Sequence, residues 1–356
     1  MQIMIRSKQF IGWMLAGLIA SGAIASCSTS QGDASDSSEA QAQQPEEAKL
    51  TLVSYAVTQS AYEKIIPKFT QQWKEQTGQD VVIEQSYGGS GSQTRAVIDG
   101  LEADVVALAL ALDTQQIEEA GLIEPNWEQE LPNEAIVHKS VAALVKRDES
   151  VKVAKWSDLT NPDIEVITAN PKTSGGARWN YLALWGSETQ AGKSPQQAQA
   201  YTEKVFANVP ILPKDARESS DVFYQQGQGD VLINYENEVL LAGQQGEALP
   251  YVIPTDYNIS IDNPIAIVDA NVDRHGTRKV AQAFAEFLFT PEAQREFAQA
   301  GFRPIEPAVS QEFAQQYPEI KNLFTIKDLG GWDKVQAQFF DDGAVFDKMM
   351  NKINQK

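Results

Sequence analysis

One cysteine, Cys27, and two histidines, His138 and His275, are all that 356 residues supply of the side chains that most often carry thiol, metal and proton-transfer chemistry. No disulfide can form within the chain. Neither histidine stands near a G-x-S-x-G elbow or a second histidine at metal-ligand spacing, so the sequence yields no catalytic residue, no metal set and no cofactor. Both histidines are expected to be structural and partly exposed. Carboxylates abound, yet a sequence alone cannot bring a chosen pair to catalytic separation. Basic residues are scarce: 29 Lys and Arg against 48 Asp and Glu leave a net charge of −19, of which −17 falls on residues 50–356. With no basic stripe to displace counterions from phosphates, nucleic acid is excluded as a partner. Beyond the N-terminal stretch no apolar run is long enough to span a bilayer, and no internal repeat is evident.

What is present begins at the N-terminus. Arg6 and Lys8 precede an apolar stretch from Phe10 to Ala20, and Ile24-Ala25-Ser26-Cys27 closes the length of a secretory signal. That ending resembles a bacterial lipobox, in which the cysteine becomes the lipidated first residue of the mature chain. Residues 1–27 are therefore read as a lipoprotein signal peptide ending at Cys27. Residues 28–49 are Ser, Gln, Ala, Asp and Glu with almost no large apolar side chain, too little to offset ordering entropy, and are read as a flexible tether.

Two glycine-rich segments dominate the rest. Gly88-Gly89-Ser90-Gly91 follows the β-like run Val81–Ile83 and opens a helical pattern with Ala96, Val97, Ile98 and Leu101 on one face. Ser174-Gly175-Gly176-Ala177-Arg178 follows Val166–Ala169 and opens another, containing Leu182, Leu184 and Trp185. Helix N-termini carry N–H groups without intrahelical acceptors at the positive end of the dipole, which is an anion-binding arrangement. Neither segment has P-loop or dinucleotide spacing. An ordinary βα turn, with Gly for positive φ and Ser as cap, accounts for either one alone; the pair points to two walls of one site.

Apolar runs alternate with helical periodicity throughout, which indicates an α/β fold. Leu50–Tyr55, a helix near 58–76 with Tyr62, Ile65, Ile66, Phe69 and Trp73 at helical spacing, Val81–Ile83 and Asp104–Leu110 make two βαβ units. About 300 residues exceed one comfortable core and predict two lobes. Residues 50–132 are assigned to lobe 1, 133–238 to lobe 2, and 239–356 to a return to lobe 1 with C-terminal helices. Tyr251–Pro254 is read as part of that return.

Several ordered blocks carry a family resemblance: Ser54-Tyr55, Gly88-Gly89-Ser90-Gly91, residues 100–106, the run from Asn170 to Ala183, Ala216-Arg217, residues 229–233, Glu236-Asn237-Glu238, Arg303-Pro304 and Gly330-Gly331-Trp332. From about Leu52 onward the chain resembles the periplasmic sulfate-binding proteins of ABC importers. The resemblance implies a two-lobed class II solute-binding fold with the ligand cleft between lobes. It also implies sulfate held dehydrated by neutral donors and handed to a membrane permease, by a monomer that meets the membrane only through its lipid. By motif, Ser90 would supply a hydroxyl and its N–H. Ser174, Gly175 and Gly176 would donate from the opposite lobe, and Ala56 and Ala216 would each add an N–H. Where the family has a tryptophan before Glu-Asn-Glu this chain has Tyr235, which exchanges an indole donor for a phenol. Arg178 and Arg217 are read as structural, bonding carboxylates or carbonyls that orient the loops.

A site lined only by donors favours sulfate, which carries no proton, over hydrogen phosphate, whose O–H would be left unsatisfied at a cost of roughly 1–3 kcal/mol. No acidic residue falls within the glycine-rich segments. A thiosulfate or other tetrahedral-oxyanion binder stays open within the same class, and Tyr235 gives it weight. From other classes, a secreted phosphate- or sulfate-ester hydrolase lacks a visible nucleophile and base, and a structural envelope lipoprotein leaves the paired donor segments without a use.

Overall fold

The computed structural model describes residues 47–317 and 319–355; the signal segment, Cys27 and residues 28–46 of the expected tether lie outside them. In the first part of the chain come strand β1 (Ala48–Tyr55), helix α1 (Gln59–Thr77), β2 (Val81–Gly88), α2 (Ser90–Ile98), β3 (Val105–Ala107) and α3 (Ala111–Glu119). Next are β4 (Ile136–Ser140), β5 (Ala142–Lys146), β6 (Val166–Ile167), α4 (Gly175–Gln190), α5 (Pro195–Phe206), α6 (Ala216–Tyr224), β7 (Val231–Tyr235) and α7 (Glu236–Gln244). Then follow β8 (Tyr251–Val252), β9 (Asn258–Ile259), β10 (Ile261–Ile267), α8 (Asp269–His275) and α9 (Arg278–Phe287).

Two sheets form two lobes. The first has the order β2-β1-β3-β10-β4, with β1 parallel to β2 and β3 and with β10 antiparallel to β3 and β4. The second has the order β6-β7-β5-β8, with β6 parallel to β7 and β5 antiparallel to both of its neighbours. The βαβ units read from the sequence are therefore present in the first sheet. Buried apolar runs such as Val105–Leu110 and Val141–Val145 suit strands covered on both faces.

Three sequence assignments move. Ala48 and Lys49, expected in the tether, begin β1 opposite Val81 and Val82, because backbone pairing extends past the last apolar side chain. Ile136–Ser140, expected in lobe 2, pairs with β10 in the first sheet, so the chain crosses at Val141. Tyr251–Val252, read as a return to lobe 1, pairs with β5 in the second sheet instead. The return runs through Asn258, whose side chain brackets the crossing by donating to Ala142 O (2.9 Å) and accepting from Ala142 N (3.3 Å). Short apolar strands look alike in sequence, and only the partner decides which sheet each one joins.

Helix packing follows the sequence pattern more closely. In α1 the residues Tyr62, Ile65, Ile66, Phe69 and Trp73 are buried, and the helix stops at Gly78, which takes the left-handed conformation at φ +75°. Phe69 lies 5.1 Å from Phe284 of α9, and Tyr62 meets Phe297 edge-on at 5.7 Å. The C-terminal segment packs differently from the expected return to lobe 1. Phe340 and Phe346 stand against Tyr181 of α4, and Lys172, in the loop before α4, holds Phe340 O (3.0 Å) and the carboxylates of Asp342 and Asp347 (both 3.1 Å).

Both histidines are structural, in different ways. His138 is buried rather than partly exposed, with its ring 4.2 Å from Phe302 and 4.7 Å from Phe297, and burial pushes its pKa down to about 3. His275, in the last turn of α8, bonds Asp104 (Nδ1 to Oδ1 2.9 Å) and Glu102 (Nε2 to Oε2 3.3 Å), and the hydrogen bond to Asp104 raises its pKa above the ordinary value. Asp104 also accepts from Thr277 Oγ1 (2.6 Å) and Thr51 N (2.8 Å), tying α8 to β1. A raised folded pKa adds stability that is fully present below the unfolded value and is lost as pH rises through the folded one. His275→Gln is therefore expected to cost more stability near about pH 6 than near about pH 9 in denaturant titrations, and an equal cost at both would disprove the pairing.

Candidate anion-binding site

Four helix N-termini and the single turn Ala56–Thr58 that runs into α1 meet around one cavity. The helices are α2, capped by Gly89; α4, capped by Ser174; α6, capped by Asp215; and α7, capped by Tyr235. Three of them, α2, α4 and α7, begin just past the carboxyl end of a strand or of the loop after it, the place where open α/β sheets form ligand crevices, and α6 follows the loop after α5. All seven residues singled out from the sequence, Ala56, Ser90, Ser174, Gly175, Gly176, Ala216 and Tyr235, line this cavity. So do Tyr55, Val57, Gly88, Gly89, Ala109 and Asp215. The open space is about 10 Å³, the scale that admits one water-sized group. Sites for organic ligands are far larger, roughly 300–1,000 Å³, so the guest must be small and compact.

The N–H groups in the first turns of these helices have no acceptors within their own helices. Side-chain caps satisfy the inner ones in α4 and α6, where Ser174 Oγ accepts from Ala177 N (3.2 Å) and Asp215 Oδ1 accepts from Glu218 N (2.8 Å), while the first N–H of α7, on Glu236, donates to Val141 O (2.9 Å). The outer ones, on Ser90, Gly175, Gly176 and Ala216, remain at the cavity wall. Ser174 Oγ accepts in its cap and keeps its single proton to give. Each dipole places roughly half a positive charge at its N-terminus, so the focus is electropositive without a cation. Neither Lys nor Arg lines the cavity.

The nearby cations are held elsewhere. Arg178 Nε donates to Pro171 O (3.0 Å), and its Nη1 lies 3.6 Å from Asp113 Oδ1; Arg217 Nη2 donates to Glu238 Oε1 (2.8 Å). Burial pushes the carboxyls of Asp113 and Glu238 up, against the opposing pull of Arg178 and Arg217 respectively. Glu236 and Glu238, read from sequence as dipole-favoured residues at a helix start, do lie in the first turn of α7, where Arg303 Nε also binds Glu236 Oε2 (2.6 Å).

Ser90 departs from its expected role as a hydroxyl donor. Its Oγ donates to Asp113 Oδ2 at 2.5 Å and accepts from Ala109 N at 3.0 Å, so its only proton points away from the cavity and its backbone N–H alone is available. Acidic residues are also closer than the glycine-rich segments indicated, since Asp215 is in the lining and Asp113 stands directly behind Ser90. Asp215 was legible as the cap of an Asp-x-x-Glu helix start. Ala109, past the end of β3, and Asp113, on α3 behind Ser90, gave no comparable signal, because only the fold brings them beside the cavity.

The walls are tied across the lobes. Trp179 Nε1 of α4 donates to Ala109 O (2.8 Å), which also accepts from Asn263 Nδ2 (3.1 Å). Asn180 Nδ2 anchors α4 to Ile233 O (2.9 Å) on β7. Gly175 and Gly176 are required by close approach: a Cβ on Gly175 would stand 2.7 Å from Ala109 Cβ, and one on Gly176 would stand 2.7 Å from Tyr235 Cε2.

Comparison with known proteins agrees with this geometry. A model of the bacterial extracellular solute-binding protein family matches residues 50–303. The chain is 59% identical over 354 residues to a "Sulfate-binding protein" from Synechocystis sp., covering 99% of this chain and 100% of that one. It is 60% identical over 307 residues to another from Synechococcus elongatus, covering 86% and 87%. Among solved structures, the sulfate-binding protein SubI from Mycobacterium tuberculosis H37Rv superposes with a TM-score of 0.76 at 37% identity, covering 83% of this chain and all of that one.

Proposed function

Because the chain belongs to the bacterial extracellular solute-binding protein family, we propose that it captures sulfate in the interlobe cavity and delivers it to the permease of an ABC importer. The observation that carries this reading is the convergence of four helix N-termini on one small cavity with no basic side chain in its wall. Sulfate bonds to the N–H groups of Ala56, Ser90, Gly175, Gly176 and Ala216 and to the hydroxyls of Ser174 and Tyr235. Charge-assisted hydrogen bonds to a dehydrated anion are the strong kind, and the dipoles supply a field that distant surface charge, screened within about 10 Å, does not cancel.

The role is binding rather than catalysis, in keeping with the binding-protein names of the relatives. Residues from both lobes line the cavity, so the anion favours the closed arrangement by its differential affinity for it. The protein works outside the cytoplasm as a monomer, held at the membrane by lipid on Cys27. Among the described residues no helix is long and apolar enough to cross a membrane.

Titration calorimetry on protein dialysed free of sulfate tests the reading, with sulfate, thiosulfate, molybdate and phosphate as titrants. One-to-one binding with sulfate the tightest is expected. A preference for thiosulfate moves the substrate to the alternative within the same class, and silence from all four sinks the transport role.

A further inference from the structure

The cavity wall contains two phenols whose oxygens are buried and have no hydrogen-bond partner among the described residues, Tyr235 Oη and Tyr55 Oη. The Tyr235 oxygen is placed by its contact with the start of α4, since a Cβ on Gly176 would meet it at 3.1 Å. The Tyr55 ring lies 6.2 Å from the Tyr235 ring. A buried polar atom without a partner is unfavourable, and two on one wall of a ligand cavity call for an occupant that satisfies them.

A phenol differs from every backbone donor around it. An amide N–H can only donate, whereas a phenol O–H donates or accepts as its proton rotates. Several other oxygens near the cavity already hold a partner. Asp215 Oδ1 accepts from Glu218 N, Ser174 Oγ accepts from Ala177 N, and Ser90 Oγ accepts from Ala109 N while donating to Asp113. The phenols are thus the hydroxyls in the lining whose oxygens have no partner, and the carboxylate of Asp215 is in the lining with them.

We propose that Tyr235, with Tyr55 beside it, lets this cavity accept tetrahedral oxyanions that carry a proton, so that hydrogen phosphate and hydrogen arsenate bind as weaker competitors of sulfate. The inference rests on the assignment of the cavity to sulfate. An unprotonated dianion takes the phenol protons as donors. A singly protonated one gives its own O–H to one phenol oxygen, while that phenol turns its proton to a second ligand oxygen or to its neighbour. A wall of N–H groups alone would leave the ligand O–H unpaired and reject it.

Displacement of labelled sulfate from the purified protein, at a mildly alkaline pH where selenate has no proton and phosphate and arsenate have one, tests this. In the wild type, phosphate and arsenate are expected to displace sulfate measurably at large excess. In Tyr235→Phe, sulfate and selenate should weaken together with their ratio unchanged, while phosphate falls by a further factor of roughly ten relative to sulfate. Tyr55→Phe should show the same change of ratio to a smaller extent. If phosphate and arsenate leave sulfate in place at any attainable excess, or if Tyr235→Phe leaves the phosphate-to-sulfate ratio unaltered, the inference is overturned while the sulfate assignment stands. Absence of sulfate binding in the wild type would overturn the assignment itself, and this inference with it.

Discussion

Replacing Gly175 by alanine is expected to weaken sulfate binding by roughly 5- to 150-fold, the equivalent of about 1–3 kcal/mol of overpacking. The new methyl would stand 2.7 Å from Ala109 Cβ, 3.2 Å from Leu110 Cγ and 3.3 Å from Ser90 Cβ, all of them on the opposite wall of the cleft. At the first distance something must shift, and the neighbour is short side chain next to backbone, which cannot swing aside. The lobes must therefore part. Gly175 sits in a helical first turn with negative φ, so alanine carries no backbone penalty there. The cost falls on closure alone, and denaturant unfolding of the ligand-free protein should change by less than about 0.5 kcal/mol. Calorimetric affinity beside that unfolding curve checks both halves. An unchanged affinity would show that Gly175 and Ala109 do not approach in the bound form.

Ser90→Asp is expected to abolish measurable sulfate binding and to destabilise the fold by about 3–5 kcal/mol, the scale of a buried charge left unpaired. A second carboxylate would face Asp113, whose Oδ2 lies 2.5 Å from the present hydroxyl, with Arg178 the cation at hand. Two carboxylates in one buried site cannot both ionise freely. The charge would also stand beside the anion's own position. Ser90→Ala provides the contrast: it keeps the N–H and removes a hydroxyl that points toward Asp113, so sulfate affinity should fall by less than about tenfold. Ser174→Ala removes a hydroxyl whose proton is uncommitted, together with a helix cap of about 1 kcal/mol, and should cost more. Binding by the three variants, each read beside circular dichroism for folding, ranks the two serines. An order with Ser90→Ala worse than Ser174→Ala would reverse the roles assigned to their hydroxyls.

Much of this was legible in the residues. The apolar spacing of α1, the glycine stop at Gly78 and the strand–glycine–helix order around Ser90 and Ser174 are local features, set by side-chain periodicity and backbone freedom over a few residues. Ordered motif blocks carried the rest, down to Ala56 and Ala216, whose side chains say nothing about anions. The cavity lining contains all seven of these positions.

What sequence alone determined, then, was the pair of helix starts at Ser90 and Ser174, because capping and dipole direction are properties of a single helix, with the remaining donors given by motif. Tertiary structure decided three other matters. It assigned β4 and β8 to their sheets, since a short apolar strand carries no mark of its partner. It turned the Ser90 hydroxyl toward Asp113, a residue 23 positions away, and so separated that hydroxyl from the donor set. It also brought Tyr55 and Tyr235, from different sheets, to the same wall, adding two unpartnered phenol oxygens to the cavity. Each of these depends on which surfaces meet across the lobes, and no local propensity encodes such a meeting.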